Sequence, residues 1–177
     1  MVGIGSVLDQ VPNSFSGTIL GAGLMWASSK KDFSKANCQL VRGKLSVERC
    51  KGCDAAIVGD PGLLAGKLLR SGQNKIFELG LIPHYVDATN FEIHRLAARY
   101  PNEVTIIDIM GSPESVINSI SNCANIASSS LRGLIAADAL GIPNIWLELS
   151  DGVLGNGFKF FDYFSVLKTR FRRIAIQ

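Results

Sequence analysis

Histidine is scarce in this chain, with two residues, His84 and His94, among 177. Any step that needs an imidazole near neutral pH has at most those two candidates. Cysteine is nearly as rare, at positions 38, 50, 53 and 123. Four are too few for a disulfide-dense secreted domain, and a hydrophobic share of 47% builds a core without such staples, so free thiols are expected. Charge is thin as well. Acidic and basic residues together make up 19%, the net charge is +3, and no basic arm or aromatic-interleaved basic repeat occurs, which argues against a nucleic-acid partner. No apolar run is long enough to span a bilayer, and Met1 leads into Val2-Gly3-Ile4-Gly5 without a basic leader, so the expected location is cytoplasmic.

Several cofactor signatures are also missing. Gly3-x-Gly5 and Gly21-x-Gly23 each start like a dinucleotide loop and lack the third glycine, which weighs against a nicotinamide or flavin. Cys50-x-x-Cys53 has no second Cys/His pair to complete a zinc site and follows an expected helix instead of opening one. No Gly-x-Ser-x-Gly elbow frames the serines. Neither a metal nor a bound cofactor is expected.

What is present is alternation. Short β-like runs at 2–7, 18–20, 38–41, 55–58, 77–82, 104–109, 125–127 and 144–147 alternate with helix-like runs at 45–51, 62–69, 90–100, 113–123, 131–140 and 160–167. That pattern predicts an α/β protein with parallel sheets and helices on their faces. The polar stretch at 70–75, Arg-Ser-Gly-Gln-Asn-Lys, is the expected boundary between a first lobe, 1–70, and a second, 75–177.

The most informative run is 128–143. Ser128-Ser129-Ser130 follows a short apolar approach and opens a helix, which Gly141 and Pro143 close before the next strand. A helix start above a strand end offers free amides and the positive end of the helix dipole to an anion, and Arg132 in the first turn adds a full charge. Arg42 and His84 stand at two other strand ends, the ligand-facing edge of an open parallel sheet. Asp87, near His84 and Tyr85, could hold the imidazole as a proton donor. In Gly59-Asp60-Pro61, capping alone explains each residue, with Asp60 over the amides and Pro61 in the first helical position.

The motif Ser-Ser-Ser-Leu-x-Gly-Leu-Ile at 128–135, with Val-Gly-Asp-Pro-Gly at 58–62, Leu-Ile-Pro-His-Tyr at 81–85 and Val-Arg-Gly-Lys-Leu-Ser at 41–46, resembles the polysaccharide pyruvyl transferases. Within them it is most similar to the ketalases of bacterial exopolysaccharide assembly. The resemblance implies a GT-B-like pair of Rossmann-like lobes, here with an incomplete N-terminal lobe, since the first strand, helix and Gly-Asp motif usually ahead of Val2 are not seen. It implies transfer of the pyruvyl group of phosphoenolpyruvate onto two hydroxyls of one sugar, forming a cyclic ketal and releasing phosphate. The acceptor would be a lipid-linked oligosaccharide.

By the same resemblance Arg132, Arg42 and His84 are the candidate catalytic residues, and Ser128, Ser129, Ser130, Gly133, Asp60 and Tyr85 the candidate substrate-binding ones. One position departs: the family reads Leu-His-Gly where this chain has Leu131-Arg132-Gly133. An arginine grips carboxylate or phosphate bidentately, yet its pKa above about 12 makes it a poor acid, so His84 is the leading proton donor. The alternative reading of Arg132 is a helix-surface arginine paired with Asp138 or Glu148. Two other functions stay open: an impaired relative that keeps anion or sugar binding, and a nucleotide-sugar glycosyltransferase of the same fold type. The basic tail at 168–173 suits a peripheral seat at the inner membrane or a solvated helix face, and an exposed edge strand allows oligomers.

Overall fold

The computed structural model describes residues 1–68, 74–167 and 173–175. Residues 70–73 of the expected boundary and 168–172 of the basic tail lie outside the described residues. Two compact units result, Met1–Pro61 with Leu154–Arg170, and Gly62–Val153 with Phe171–Gln177. The first is discontinuous in sequence, because the helix that follows the last long strand of the second returns to it.

In the first unit, strands β1 (Thr18–Ala22), β3 (Asn37–Val41) and β5 (Ile57–Val58) form a parallel sheet in that order. Val2 and Gly5 make single parallel bridges to Ile19 and Ala22, so the run expected as a strand over 2–7 runs beside β1 without forming a continuous ladder. A second parallel pair joins β2 (Lys31–Asp32) to β4 (Cys50–Lys51). The helix expected over 45–51 therefore ends early. α1 covers Lys44–Val47, and Cys50 and Lys51 leave it to pair with β2, a tertiary partner that outcompetes local propensity. The core gathers Leu8, Ile19, Leu24, Phe33, Val41 and Phe158, the last from α5 (Phe158–Phe164).

The cysteines depart from expectation here. Cys38 and Cys53 form a disulfide with Cα atoms 5.3 Å apart, while Cys50 and Cys123 are free and buried. The bond joins β3 to the turn after β4, two places that only the folded sheet brings together.

The second unit is a five-stranded parallel sheet ordered β10-β9-β8-β6-β7, built from β6 (Phe77–Ile82), β7 (Val104–Ile106), β8 (Cys123–Ser128), β9 (Asn144–Glu148) and β10 (Arg173–Ala175). Numbered within the unit, the strand order is 2-1-3-4-5, which reverses direction between β6 and β8. Alternate residues face opposite sides. Ile82 and Ile126 join Val116 and Ile120 of α3 (Pro113–Ser121) and Ala137 of α4 (Leu131–Ala139) on one face; Leu81 and Ala127 join Ile93 of α2 (Phe91–Arg99) on the other. The starts of α2 and α3 are set by short polar caps, Asn90 accepting from the amides of Glu92 and Ile93 and Ser112 from that of Ser115.

Candidate functional site

The register between β6 and β8 puts Ile82 opposite Ser128, so the two strands finish level and their following residues lie side by side at the switch point. An open α/β sheet binds its ligands at that position. Ser128 is fully buried, with its Oγ 2.8 Å from the Ile82 carbonyl and 2.9 Å from that of Ser130, and it accepts from the Ser130 amide at 3.0 Å. Ser129 is buried beside it. Its amide donates to the Ile82 carbonyl, and its Oγ accepts from the His84 amide at 2.8 Å and donates to Asp87 Oδ2 at 2.7 Å.

Asp87 closes the 3-10 turn Tyr85–Asp87 and is 3% exposed. Its other carboxylate oxygen accepts from the Ser150 hydroxyl, just past the end of β9. Asp87 thus ties together the loops after β6, β8 and β9. Its carboxylate turns to the two serines, where the sequence suggested it might hold the His84 ring. Nothing in the sequence marked Ser150 except its place after a strand.

His84 caps the same turn, half-buried, with Nδ1 3.4 Å from the Val86 amide and its ring 4.4 Å from that of the exposed Tyr85. Among the described residues, no group of three or more His, Cys, Asp or Glu side chains is arranged to hold a metal ion.

Ser130 occupies the cap position of α4, yet its side chain makes no capping bond. The amides of Leu131, Arg132 and Gly133 have no acceptor among the described residues, as the geometry of a helix start dictates. Arg132 is exposed, and no described residue engages its side chain. The surface pairing foreseen as its alternative is not made: Asp138 accepts from Asn144 Nδ2 at 2.7 Å, and Glu148 pairs with Arg173 at 3.3 Å. Gly133 is needed for closeness. A Cβ there would stand 2.5 Å from Ser128 Oγ and 3.0 Å from an Ile82 methyl, so only glycine lets α4 start this near β6 and β8. The edge accordingly presents three amides, a dipole end and a fixed positive charge, held on buried serines.

Arg42 and Asp60 belong to the first unit. Arg42 is completely buried; Nε donates to Asp162 Oδ2 at 2.9 Å, one terminal nitrogen to Ser6 Oγ at 2.5 Å and the other to the Leu24 carbonyl at 2.7 Å. Asp162 in turn accepts from the Ser46 amide and hydroxyl, both at 2.7 Å. Burial pulls the guanidinium pKa down while Asp162, and more weakly Asp60 and Asp9, pull it up; an arginine so surrounded stays charged. Gly43 permits this joint, since a Cβ there would sit 1.9 Å from the Asp162 carbonyl oxygen. The sequence singled out Arg42 and passed over Asp162, although a lone acid inside the aromatic run Phe158-Lys159-Phe160-Phe161-Asp162-Tyr163-Phe164 demands a buried partner.

A parallel sheet with a helix start at its switch point defines an α/β protein whose strand ends form a candidate ligand edge. The sequence matches the family model of the polysaccharide pyruvyl transferases over residues 29–151, and the chain belongs to that family. It is similar to an uncharacterized protein of Acanthamoeba polyphaga mimivirus, with 33% identity over 157 residues, 84% of this chain and 54% of that protein. It is also similar to the succinoglycan biosynthesis protein ExoV of Rhizobium meliloti, with 25% identity over 182 residues, 97% of this chain and 55% of that protein. The chain thus spans about half the length of these curated relatives. No solved structure matches. Among the described residues, no helix is long and apolar enough to cross a membrane.

Proposed function

We propose that the chain takes part in pyruvyl transfer from phosphoenolpyruvate to a saccharide, with the donor bound at the β6–β8 edge of the second unit. The observation that carries this reading is the level ending of β6 and β8, which places His84, Ser129 and the start of α4 at one switch point in a member of this family. The amides of Leu131, Arg132 and Gly133 and the Arg132 guanidinium hold the donor's phosphate or carboxylate, and their charge offsets that of the departing phosphate. His84 supplies the proton that turns the enol carbon into a methyl group, leaving an oxocarbenium-like centre for two sugar hydroxyls. Asp87, Ser129 and Ser150 keep the three loops in place. Tyr85, exposed against the His84 ring, contributes to the wall of the donor site.

In this reading the lobes 1–70 and 75–177 serve a GT-B-type enzyme, and the acceptor is a hexose unit of a lipid-linked oligosaccharide on the cytoplasmic side of the membrane. Arg42, with Asp60 near it, acts by holding α5 through Asp162. Arginine at 132 favours holding the donor over proton transfer, so an impaired relative that binds without turnover is the second reading.

Phosphate release from phosphoenolpyruvate with a lipid-linked oligosaccharide acceptor tests both, using the chain, Arg132→His and His84→Ala. Turnover in the starting chain that His84→Ala abolishes is the expected result. Turnover only in Arg132→His supports the impaired relative, and phosphate release from neither the chain nor Arg132→His overturns the proposal.

A further inference from the structure

The first unit carries a basic cavity that the donor site does not use. It measures about 370 Å³ and is lined by Lys30, Lys31, Val47, Glu48, Arg49, Cys50, Lys51 and Asp54, four cationic side chains against two acidic ones. That volume falls in the range of small-ligand pockets. The walls come from the β2–β4 pair and the end of α1, segments joined by the parallel pairing of Lys31 with Cys50 and Asp32 with Lys51.

The cations differ in how they are held. Lys51 is 3.1 Å from Asp32, and Lys31 donates to the Asp9 carbonyl at 3.3 Å. Arg49 is fixed by the Ala27 and Leu45 carbonyls at 3.0 and 2.9 Å and paired with the Glu48 carboxylate at 3.4 Å, and its guanidinium carbon lies 5.1 Å from the centre of the Phe158 ring. Those bonds use Nε and one terminal nitrogen. The second terminal nitrogen of Arg49 and the ammonium of Lys30 engage no described residue. A guanidinium held by four neighbours, with one fork arm free of the described residues, is arranged before any ligand arrives, and that arm suits a tetrahedral oxyanion. The Cys50 thiol in the wall, its pKa pushed up to about 12 by burial, stays neutral and offers the anion no opposing charge.

We infer that this cavity binds a phosphate group, with the free arm of Arg49 and the ammonium of Lys30 as its donors and Lys31 and Lys51 setting the local field. The inference does not depend on the reaction at the second unit. The phosphate can come from a soluble phosphate ester or from a lipid headgroup, and the test separates them.

Pyrophosphate binding is measured by calorimetry in the Arg132→Glu background, which removes the charge at the α4 start, and compared with the same chain carrying Lys30→Glu. Lys30 is exposed and unengaged, so its replacement leaves folding intact, which circular dichroism checks. Saturable binding weakened roughly tenfold by Lys30→Glu, and likewise by Arg49→Lys, is the expected result and identifies a soluble source. Co-sedimentation with phosphatidylglycerol vesicles, absent with phosphatidylcholine and lost in Lys30→Glu, identifies a lipid source. No binding to either probe, or binding that Lys30→Glu leaves unchanged, overturns the inference.

Discussion

Each unit of the molecule holds a buried aspartate at the joint of its loops, and the two are answered in opposite ways. Asp162 in the first unit meets a full positive charge, Arg42, with both groups sealed from water. Among the described residues, Asp87 in the second meets only the hydroxyls of Ser129 and Ser150. An ion pair out of water is held by what its loss would leave behind, an uncompensated buried charge, so the first joint locks structure. Neutral donors spend no cation on the second joint. In the same unit Arg132, at the start of α4, stands exposed with no partner among the described residues. Of two arginines beside strand ends, one is sealed in an ion pair and the other is exposed.

The sharpest way to break that contrast is to remove each arginine. Arg42→Ala should cost about 3–5 kcal/mol in chemical denaturation, because Asp162 is left buried and alone. Arg132→Ala should change stability by less than about 0.5 kcal/mol, as expected for an exposed side chain that no described residue engages. Equal losses in the two variants would erase the distinction between a locking and an exposed arginine.

A smaller effect is expected from the closeness of α4 to its sheet. Gly133→Ala forces a methyl to within 2.5 Å of Ser128 Oγ and should destabilise the chain by about 1–3 kcal/mol, read from the urea midpoint. Ser128→Ala combined with Gly133→Ala should recover part of that loss, since the clashing oxygen is gone. Failure to recover would mean that the two Ile82 methyl contacts, at 3.0 and 3.1 Å, set the spacing.

The smallest effect concerns the thiols. Burial holds the Cys50 proton up to about pH 12, against an ordinary value of 9.0. A pKa raised in the folded state gives a contribution that is complete below pH 9 and fades as the pH climbs toward 12. Cys50→Ala should flatten the alkaline limb of the stability curve across that window. At pH 8 the native chain should resist iodoacetamide at Cys50 and Cys123, and after unfolding with reductant all four cysteines should react. Labelling of either buried thiol in the native state would show a looser core than the one described.

Much of the second unit was legible in the sequence because its signals are local. The run 77–82 was placed to the residue, and α2, α3 and α4 came within a few residues of their expected ends, since Asn90, Ser112 and Gly141 mark helix limits by capping and turn chemistry that needs no distant partner. The first unit was harder. Its β2 and β4 are two-residue strands that exist only by pairing with each other, so no periodicity announced them and Cys50-Lys51 read as helix. Site residues divide along the same line. Ser128–Ser130, Arg132 and His84 were visible as strand-end and helix-start chemistry, whereas Asp162 and Ser150 earn their roles from partners 120 and 63 positions away.

By itself the sequence determined the alternation of strands and helices, the family, and the presence of an anion-suited helix start after a strand, because each rests on neighbouring residues and their spacing. Only the tertiary structure decided that β6 and β8 end level at the point where strand order reverses, that Cys38 bonds Cys53, and that Arg42 is buried while Arg132 is exposed. Those outcomes depend on which distant groups must share the interior, and a buried charge takes whatever partner the fold brings to it.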